Sequence, residues 1–265
     1  MDGLEWHGIF DTHAHYDDER FDEDRDEVLA SLPGEGVCAV VNAASDLPSA
    51  RAGIALAERY PYIWAAAGIH PHEAEKAPAD AVEQLRALLS HPRVVALGEI
   101  GLDYHYDFSP RDVQQALFER QLALAKELDA PVVIHDREAH EDTLRLLKKY
   151  RPRGVVHCFS GSGEMAAEIL KLGMYIGLGG AVTFKNARKP VEVAAMVPAD
   201  RLVLETDAPY MTPVPFRGRR CHSGHIRYTA GAIAAVRGIT PQALIDQARA
   251  NACRLYGIPE SALSI

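Results

Sequence analysis

Six residues of metal-binding type stand at or just past the ends of short apolar runs in this chain of 265 residues. His13 and His15 lie in Phe10-Asp11-Thr12-His13-Ala14-His15, and Glu99 lies in Leu97-Gly98-Glu99-Ile100-Gly101. His135 follows Pro131-Val132-Val133-Ile134, His157 follows Gly154-Val155-Val156, and Asp207 closes Leu202-Val203-Leu204-Glu205-Thr206-Asp207. In an extended segment, residues two apart face the same side, so both imidazoles of the His-x-His can reach one ion. A carboxylate ending a buried apolar strand has to be paired or ligated, because burying it bare is costly. Gly98 and Gly101 leave room for close approach beside Glu99. Six protein ligands exceed the need of one four-coordinate zinc. The set therefore predicts two divalent ions sharing Glu99 as a bridge, roughly 3.5–4 Å apart. Imidazole-rich ligation suits Zn, Mn, Fe or Ni better than Mg, which prefers oxygen. The chemistry is hydrolysis: an activated water attacks a phosphorus or carbonyl centre while the ions neutralise the charge that develops. Asp207 is a candidate proton acceptor as well as a ligand.

Such a set needs a scaffold that gathers distant strand ends. Short branched runs at 8–12, 37–43, 63–69, 94–99, 131–135, 154–159, 174–179 and 201–205 lack polar alternation, as strands buried on both faces of a parallel sheet do. Helical patterns lie between them. In 110–129, Val113, Leu117, Leu124 and Leu128 recur at helical spacing after Ser109-Pro110. In 240–256, Leu244, Ala248, Ala252 and Leu255 line one face between Thr240-Pro241 and Gly257. Eight strands with interleaved helices predict an α/β fold, a (β/α)8 TIM barrel in a single domain spanning 1–265, with a doubly wound open sheet as the alternative. A barrel of this kind takes about 250 residues, and its strand C-termini open on one face, where all six ligands would converge. The Pro- and Arg-rich stretch 209–227 is expected to form a long loop on that face.

Apolar residues make up 48% and charged residues 25%, which argues against disorder. The net charge of -9 disfavours indiscriminate nucleic-acid binding through overall charge, but leaves room for a local basic patch. Cys38, Cys158, Cys221 and Cys253 form no C-x-x-C pair and read as free thiols. The acidic start Met1-Asp2-Gly3-Leu4-Glu5 does not resemble a secretory signal, and no apolar run approaches the roughly 18 residues of a membrane span. A soluble cytoplasmic protein, monomeric, is the expectation.

With these residues in place, the chain resembles the TatD family of metal-dependent deoxyribonucleases, part of the wider amidohydrolase-like barrel group. The resembling segments are Phe10–His15, GIHPH at 68–72, GEIGLDY at 98–104, the run 118–137, HCFSGS at 157–162, YIGLGGAVTFK at 175–185 and ETDAPY at 205–210. The resemblance implies divalent-metal-dependent phosphodiester hydrolysis, commonly 3′-to-5′ removal of nucleotides from DNA. It also implies that His13, His15, Glu99, His135, His157 and Asp207 are the metal ligands and that His70 is functionally important. The sequence departs from the family at Cys221-His222-Ser223, where Asn-Glu-Pro is usual. The departure bears on substrate choice and leaves the metal set whole.

Glu99, Asp207 and His70 are thus the catalytic candidates, with His70 orienting substrate or donating a proton to the leaving group. His72, Arg137, Lys185, Glu205, Arg217, Arg219 and Arg220 are candidates for contact with substrate. Arginine suits phosphate because its planar fork donates two parallel hydrogen bonds. Glu205 shares the parity of Asp207, Asp11 that of His13, and Asp103 and Tyr104 follow Glu99. Other readings are an amidohydrolase or esterase acting on a small molecule or on aminoacyl-tRNA, a hydrolase of nucleotides or sugar phosphates, and a non-enzymatic barrel. Many binuclear amidohydrolases bridge their metals with a carboxylated lysine on the fourth strand; Glu99 in that place favours the TatD-type site.

Overall fold

The computed structural model describes residues 6–263. The acidic start at 1–5, where no secretory signal was read, lies outside the described residues. Eight strands run in the order β1 Ile9–Ala14, β2 Val37–Asn42, β3 Ile63–Ala67, β4 Val94–Asp103, β5 Val132–Arg137, β6 Gly154–Val156, β7 Tyr175–Leu178 and β8 Leu202–Leu204. Each pairs in parallel with the next in sequence order. The ring closes between β1 and the chain leaving β8. Thr12 Oγ1 donates to the Leu204 carbonyl (3.1 Å), Asp207 N to that of His13 (2.9 Å) and His15 N to that of Ala208 (2.7 Å). This is the (β/α)8 barrel that the alternation predicts, and the open sheet is excluded by the closure.

The helices are α1 Arg25–Ser31, α2 Leu47–Arg59, α3 Ala81–Leu89, α4 Arg111–Leu128, α5 His140–Tyr150, α6 Gly163–Lys171, α7 Arg188–Met196, α8 Ile226–Arg237 and α9 Pro241–Tyr256. α9 follows its pattern closely. Thr240 Oγ1 caps the Ala243 N–H, Leu244, Ala248, Ala252 and Leu255 are buried, and Gly257 ends the helix in the left-handed region. α4 departs from its pattern. Leu117 and Leu124 are buried, but Val113 is only half-buried and Leu128 is exposed. Its buried face instead includes Gln114 and Gln121, two polar residues one heptad apart.

Phe10, Trp64, Ala66, Ala96, Val133, Val155 and Val203 meet inside the ring, with Phe10 stacked 6.4 Å from Trp64 and 6.2 Å from Tyr256. The end of α9 therefore plugs the mouth at the strand N-termini. Val133 and His135, Val155 and His157, and Val203 and Glu205 each share a parity, so one alternation packs the barrel floor and delivers polar side chains to the opposite mouth. No helix among the described residues is long and apolar enough to cross a membrane. All four cysteines are free thiols, as read from their spacing.

Candidate metal centre

His13 lies near the end of β1 and His15 just past it, with their Nε2 atoms 3.0 Å apart. The Nδ1 of His15 is 2.9 Å from the Ala43 carbonyl, so that nitrogen carries the proton and donates it, leaving Nε2 free to face the centre. β4 runs past Glu99 to Asp103, beyond the 94–99 expected. Gly101 sits at φ +151 with the His135 backbone where a Cβ would go, and a Cβ on Gly98 would lie 2.6 Å from that of Val133. Only glycines let β4 and β5 come this close, which sets Glu99 among the imidazoles.

The two oxygens of Glu99 face different partners. Oε2 lies 3.2 Å from His13 Nε2 and 3.5 Å from His15 Nε2. Oε1 lies 2.6 Å from His157 Nε2, 2.8 Å from His135 Nδ1 and 3.5 Å from His70 Nε2. Asp207 closes the first side, with Oδ1 3.4 Å from His15 Nε2 and 3.7 Å from His13 Nε2. Asp207 takes a left-handed φ of +60, which aspartate tolerates, and its carbonyl accepts from Tyr210 N (2.8 Å). His157 follows β6, which ends three residues short of the expected 159. Cys158 there turns at φ +41 and donates its N–H to Glu205. The six candidate ligands converge, and His70 joins them.

Burial alone would raise Glu99, but His157, His13 and His70 outweigh it and hold its carboxyl well below the ordinary range. Burial pulls against the charge on His15 and His135, yet their carboxylate partners win, pushing His15 up to about 10 and His135 up to about 9. Burial and the neighbouring His157 pull His13 down to about 4. Once these imidazoles are neutral, Nε2 of His13, His15 and His157 and Nδ1 of His135 can turn lone pairs toward the oxygens of Glu99 and Asp207. Divalent cations satisfy that set, and three overlapping triads can hold them: His13–His15–Glu99, His13–His157–Asp207 and His70–Glu99–His135.

Around these residues stands a second layer, of which alternation pointed to Asp11 alone. Three consecutive carbonyls after β2 position three candidates: Ala43 for the His15 ring, Ala44 for Glu99 N (3.0 Å) and Ser45 for His70 N (2.8 Å). Asp103 is fully buried, and its Oδ2 lies 3.0 Å from His135 Nε2 and 2.9 Å from His72 Nε2. Gln121 of α4 pairs with both backbone groups of Ile69, and Gln114 holds Asp103 N (2.9 Å). Asp11 accepts from Thr206 and from His13 N, tying β1 to β8. The glutamines had a detectable signal, two polar residues seven apart inside an apolar helical face; the carbonyls had none.

The substrate candidates separate. Glu205 is buried beneath His157, 3.7 Å from its Nδ1, and bonded to Cys158 N, so it supports a ligand instead of lining open space. β5 continues through Arg137; the residue is exposed, with its guanidinium 4.7 Å over the Tyr106 ring. Arg217 packs 3.9 Å over Phe184, which brings it beside the exposed Lys185. Arg219 is exposed near Phe216. Arg220 is committed elsewhere, paired with Asp24 at 2.5 Å and 4.6 Å over Phe21. The stretch 209–227 is a loop only to 222, followed by a short 3-10 turn and the start of α8 at Ile226.

The model of one protein family, TatD related DNase, matches residues 10–257. The chain belongs to that TatD family. Its relatives include an uncharacterized metal-dependent hydrolase, YabD of Bacillus subtilis (strain 168), 42% identical over 253 residues, which span 94% of this chain and 99% of the relative. The 3′-5′ ssDNA/RNA exonuclease TatD of Klebsiella pneumoniae (strain 342) is 36% identical over 94% of this chain and 98% of its own. The crystal structure of the Escherichia coli K12 TatD homologue YJJV superposes with a TM-score of 0.89 at 34% identity, covering 95% of this chain and 99% of that one. The chain is a TatD-type metal-dependent hydrolase.

Proposed function

We propose that this TatD hydrolase removes nucleotides from the 3′ end of single-stranded nucleic acid, with two divalent ions held on either side of Glu99. The observation that carries the two-ion reading is the division of Glu99: Oε2 faces the His13–His15 pair and Oε1 faces His135, His157 and His70. The substrate class is that named for the Klebsiella pneumoniae relative, carried to a chain in which all six candidate ligands converge.

Ions in such a site act as Lewis acids and bring a water near neutral pKa. The remaining roles fall to side chains. Asp207, on the His13–His15 side, accepts the proton of the attacking water. Attack forms the new P–O bond and breaks the bond to the leaving 3′ oxygen, which takes up a proton from solvent as Asp207 gives up the one it accepted. His70 Nδ1 accepts from His72 N (3.2 Å), so the ring proton sits on Nε2. Burial and neighbouring His135 keep His70 neutral, well below its ordinary pKa. Nε2–H is thus a fixed donor for the leaving oxygen. The exposed Lys185 and Arg219 are the candidates for phosphate, whereas Arg217 donates to the Thr212 carbonyl (3.1 Å) and Arg220 holds the loop to Asp24.

The test strips the protein with chelator and restores Mg²⁺, Mn²⁺, Co²⁺ or Zn²⁺ one at a time on 5′-labelled single-stranded DNA. A metal-dependent ladder shortening from the 3′ end, absent in His135→Ala, is expected. Intact DNA with every metal would overturn the nuclease reading and direct attention to nucleotide, ester and amide substrates.

A further inference from the structure

Beyond β4, the chain 104–110 carries two large aromatic side chains into solvent, Tyr106 at 48% and Phe108 at 63% exposure. A single exposed ring is ordinary, but these two stack, with centroids 5.1 Å apart and planes 18° from parallel. Arg137 lies over the Tyr106 ring at 4.7 Å, so guanidinium and two rings form one stack of planar groups. The loop that bears them is anchored. Asp103 Oδ1 accepts from both His105 N (3.0 Å) and Tyr106 N (2.9 Å), and Ser109 Oγ donates to the His72 carbonyl (3.0 Å).

The same anchor reaches the metal centre. The His72 ring meets Phe108 edge-on at 4.8 Å, and its Nε2 shares Asp103 Oδ2 with His135, whose Nδ1 faces Glu99. Three residues, His72, Asp103 and His135, therefore link Phe108 to the candidate bridging carboxylate. Held in place by these contacts, both rings still keep much of their surface open to water. Every nucleobase has a π-face to offer, and stacking on an aromatic ring is tolerant of sequence.

We propose that Tyr106 and Phe108 form a stacking platform for an unpaired nucleobase at the 3′ end of the substrate strand. The inference rests on the nuclease reading above and deepens it. An unpaired base can turn freely onto Phe108, whereas a paired one is held by its partner strand, so the platform favours single-stranded ends. Specificity is then for an unpaired base of any kind, not for a sequence.

The test is equilibrium binding of 5′-fluorescent oligo(dT) to the Mn²⁺-loaded protein, with a 3′-terminal phosphorothioate linkage to suppress cleavage. A second oligonucleotide is identical except that its two 3′-terminal residues are abasic. The wild type should prefer the base-bearing end by about tenfold or more, the range expected for stacking of a base. Tyr106→Ala/Phe108→Ala should lose that preference, and Phe108→Trp should keep it; circular dichroism confirms that the variants fold. A wild type without the preference, or a double variant that retains it, overturns the platform. Cleavage of both ends with equal KM leaves the nuclease reading standing and the platform fallen. A base-dependent preference with no cleavage under any metal leaves the platform standing and the nuclease reading fallen.

Discussion

Asp103 shows how one side chain can set the chemistry of another. Its Oδ2 accepts from His135 Nε2, so the proton of that ring is held away from the centre and Nδ1 is the atom presented to Glu99. Burial works against the charge, but hydrogen bonds from His135 and His72 hold the Asp103 carboxyl well below its ordinary value. In Asp103→Asn, the amide oxygen should keep accepting from His105 N and Tyr106 N, which turns the amide NH2 toward the imidazoles. His135 then loses its acceptor while the loop keeps its shape. Metal affinity, measured by competitive chelator titration, should fall about 10–100-fold, the usual effect of removing a group that orients a metal-binding histidine. Undiminished affinity would show that the β5 backbone alone orients the ring. Glu205 lies beneath His157 at 3.7 Å from Nδ1, close enough for charge to act but without a hydrogen bond to the ring.

Among the helices, α4 has the most direct structural tie to the site. Gln121 satisfies both the N–H and the C=O of Ile69, buried groups on the chain that carries His70. Gln121→Ala leaves both unpaired, at about 1–3 kcal/mol for each group. The expected result is a Tm lowered by several degrees, at about 2–4 °C per kcal/mol for a domain of this size. A calorimetric scan superimposable on that of the wild type would show that water or a backbone shift replaces the glutamine. These two polar positions also explain why α4 reads poorly as an amphipathic helix. Part of the face that periodicity assigns to apolar packing is occupied by side chains that act as backbone partners for loops.

The barrel brings together strands that are remote in sequence, and its closure lies at the metal centre itself. Asp207 N, His15 N and Thr12 Oγ1 make the bonds that join the last strand to the first. Ions held by the triads beside that seam would stabilise the folded chain only, because the unfolded chain holds no such site. At a hundredfold excess over Kd, the gain is about 2.7 kcal/mol. Excess Mn²⁺ should therefore raise the Tm of chelator-stripped protein by about 5–11 °C in differential scanning fluorimetry. Identical melting curves with and without metal would show that the triads bind no ion tightly. The net charge of -9 sits partly in this centre, whose carboxylates are balanced locally by imidazoles and not by the surface.

Much of this was legible along the chain because parallel barrels impose a simple code. Strands buried on both faces must be short apolar runs, and the polar residue that ends such a run must be ligated or paired. That is why His13, His15, Glu99, His135, His157 and Asp207 could be named from type and place alone. Strand ends were less legible: β4 and β5 outran their apolar patterns through Asp103 and Arg137, because pairing with a neighbour continues where hydrophobicity stops. Roles that depend on backbone left no trace. The carbonyls of Ala43, Ala44 and Ser45 orient three site residues, yet a carbonyl is the same in every residue and has no letter of its own. The arginines were identified by charge, but charge does not say whether Asp24 already holds Arg220. Residue type determined which groups could do the chemistry; closure of the ring decided which of them face one another and which are left free for substrate.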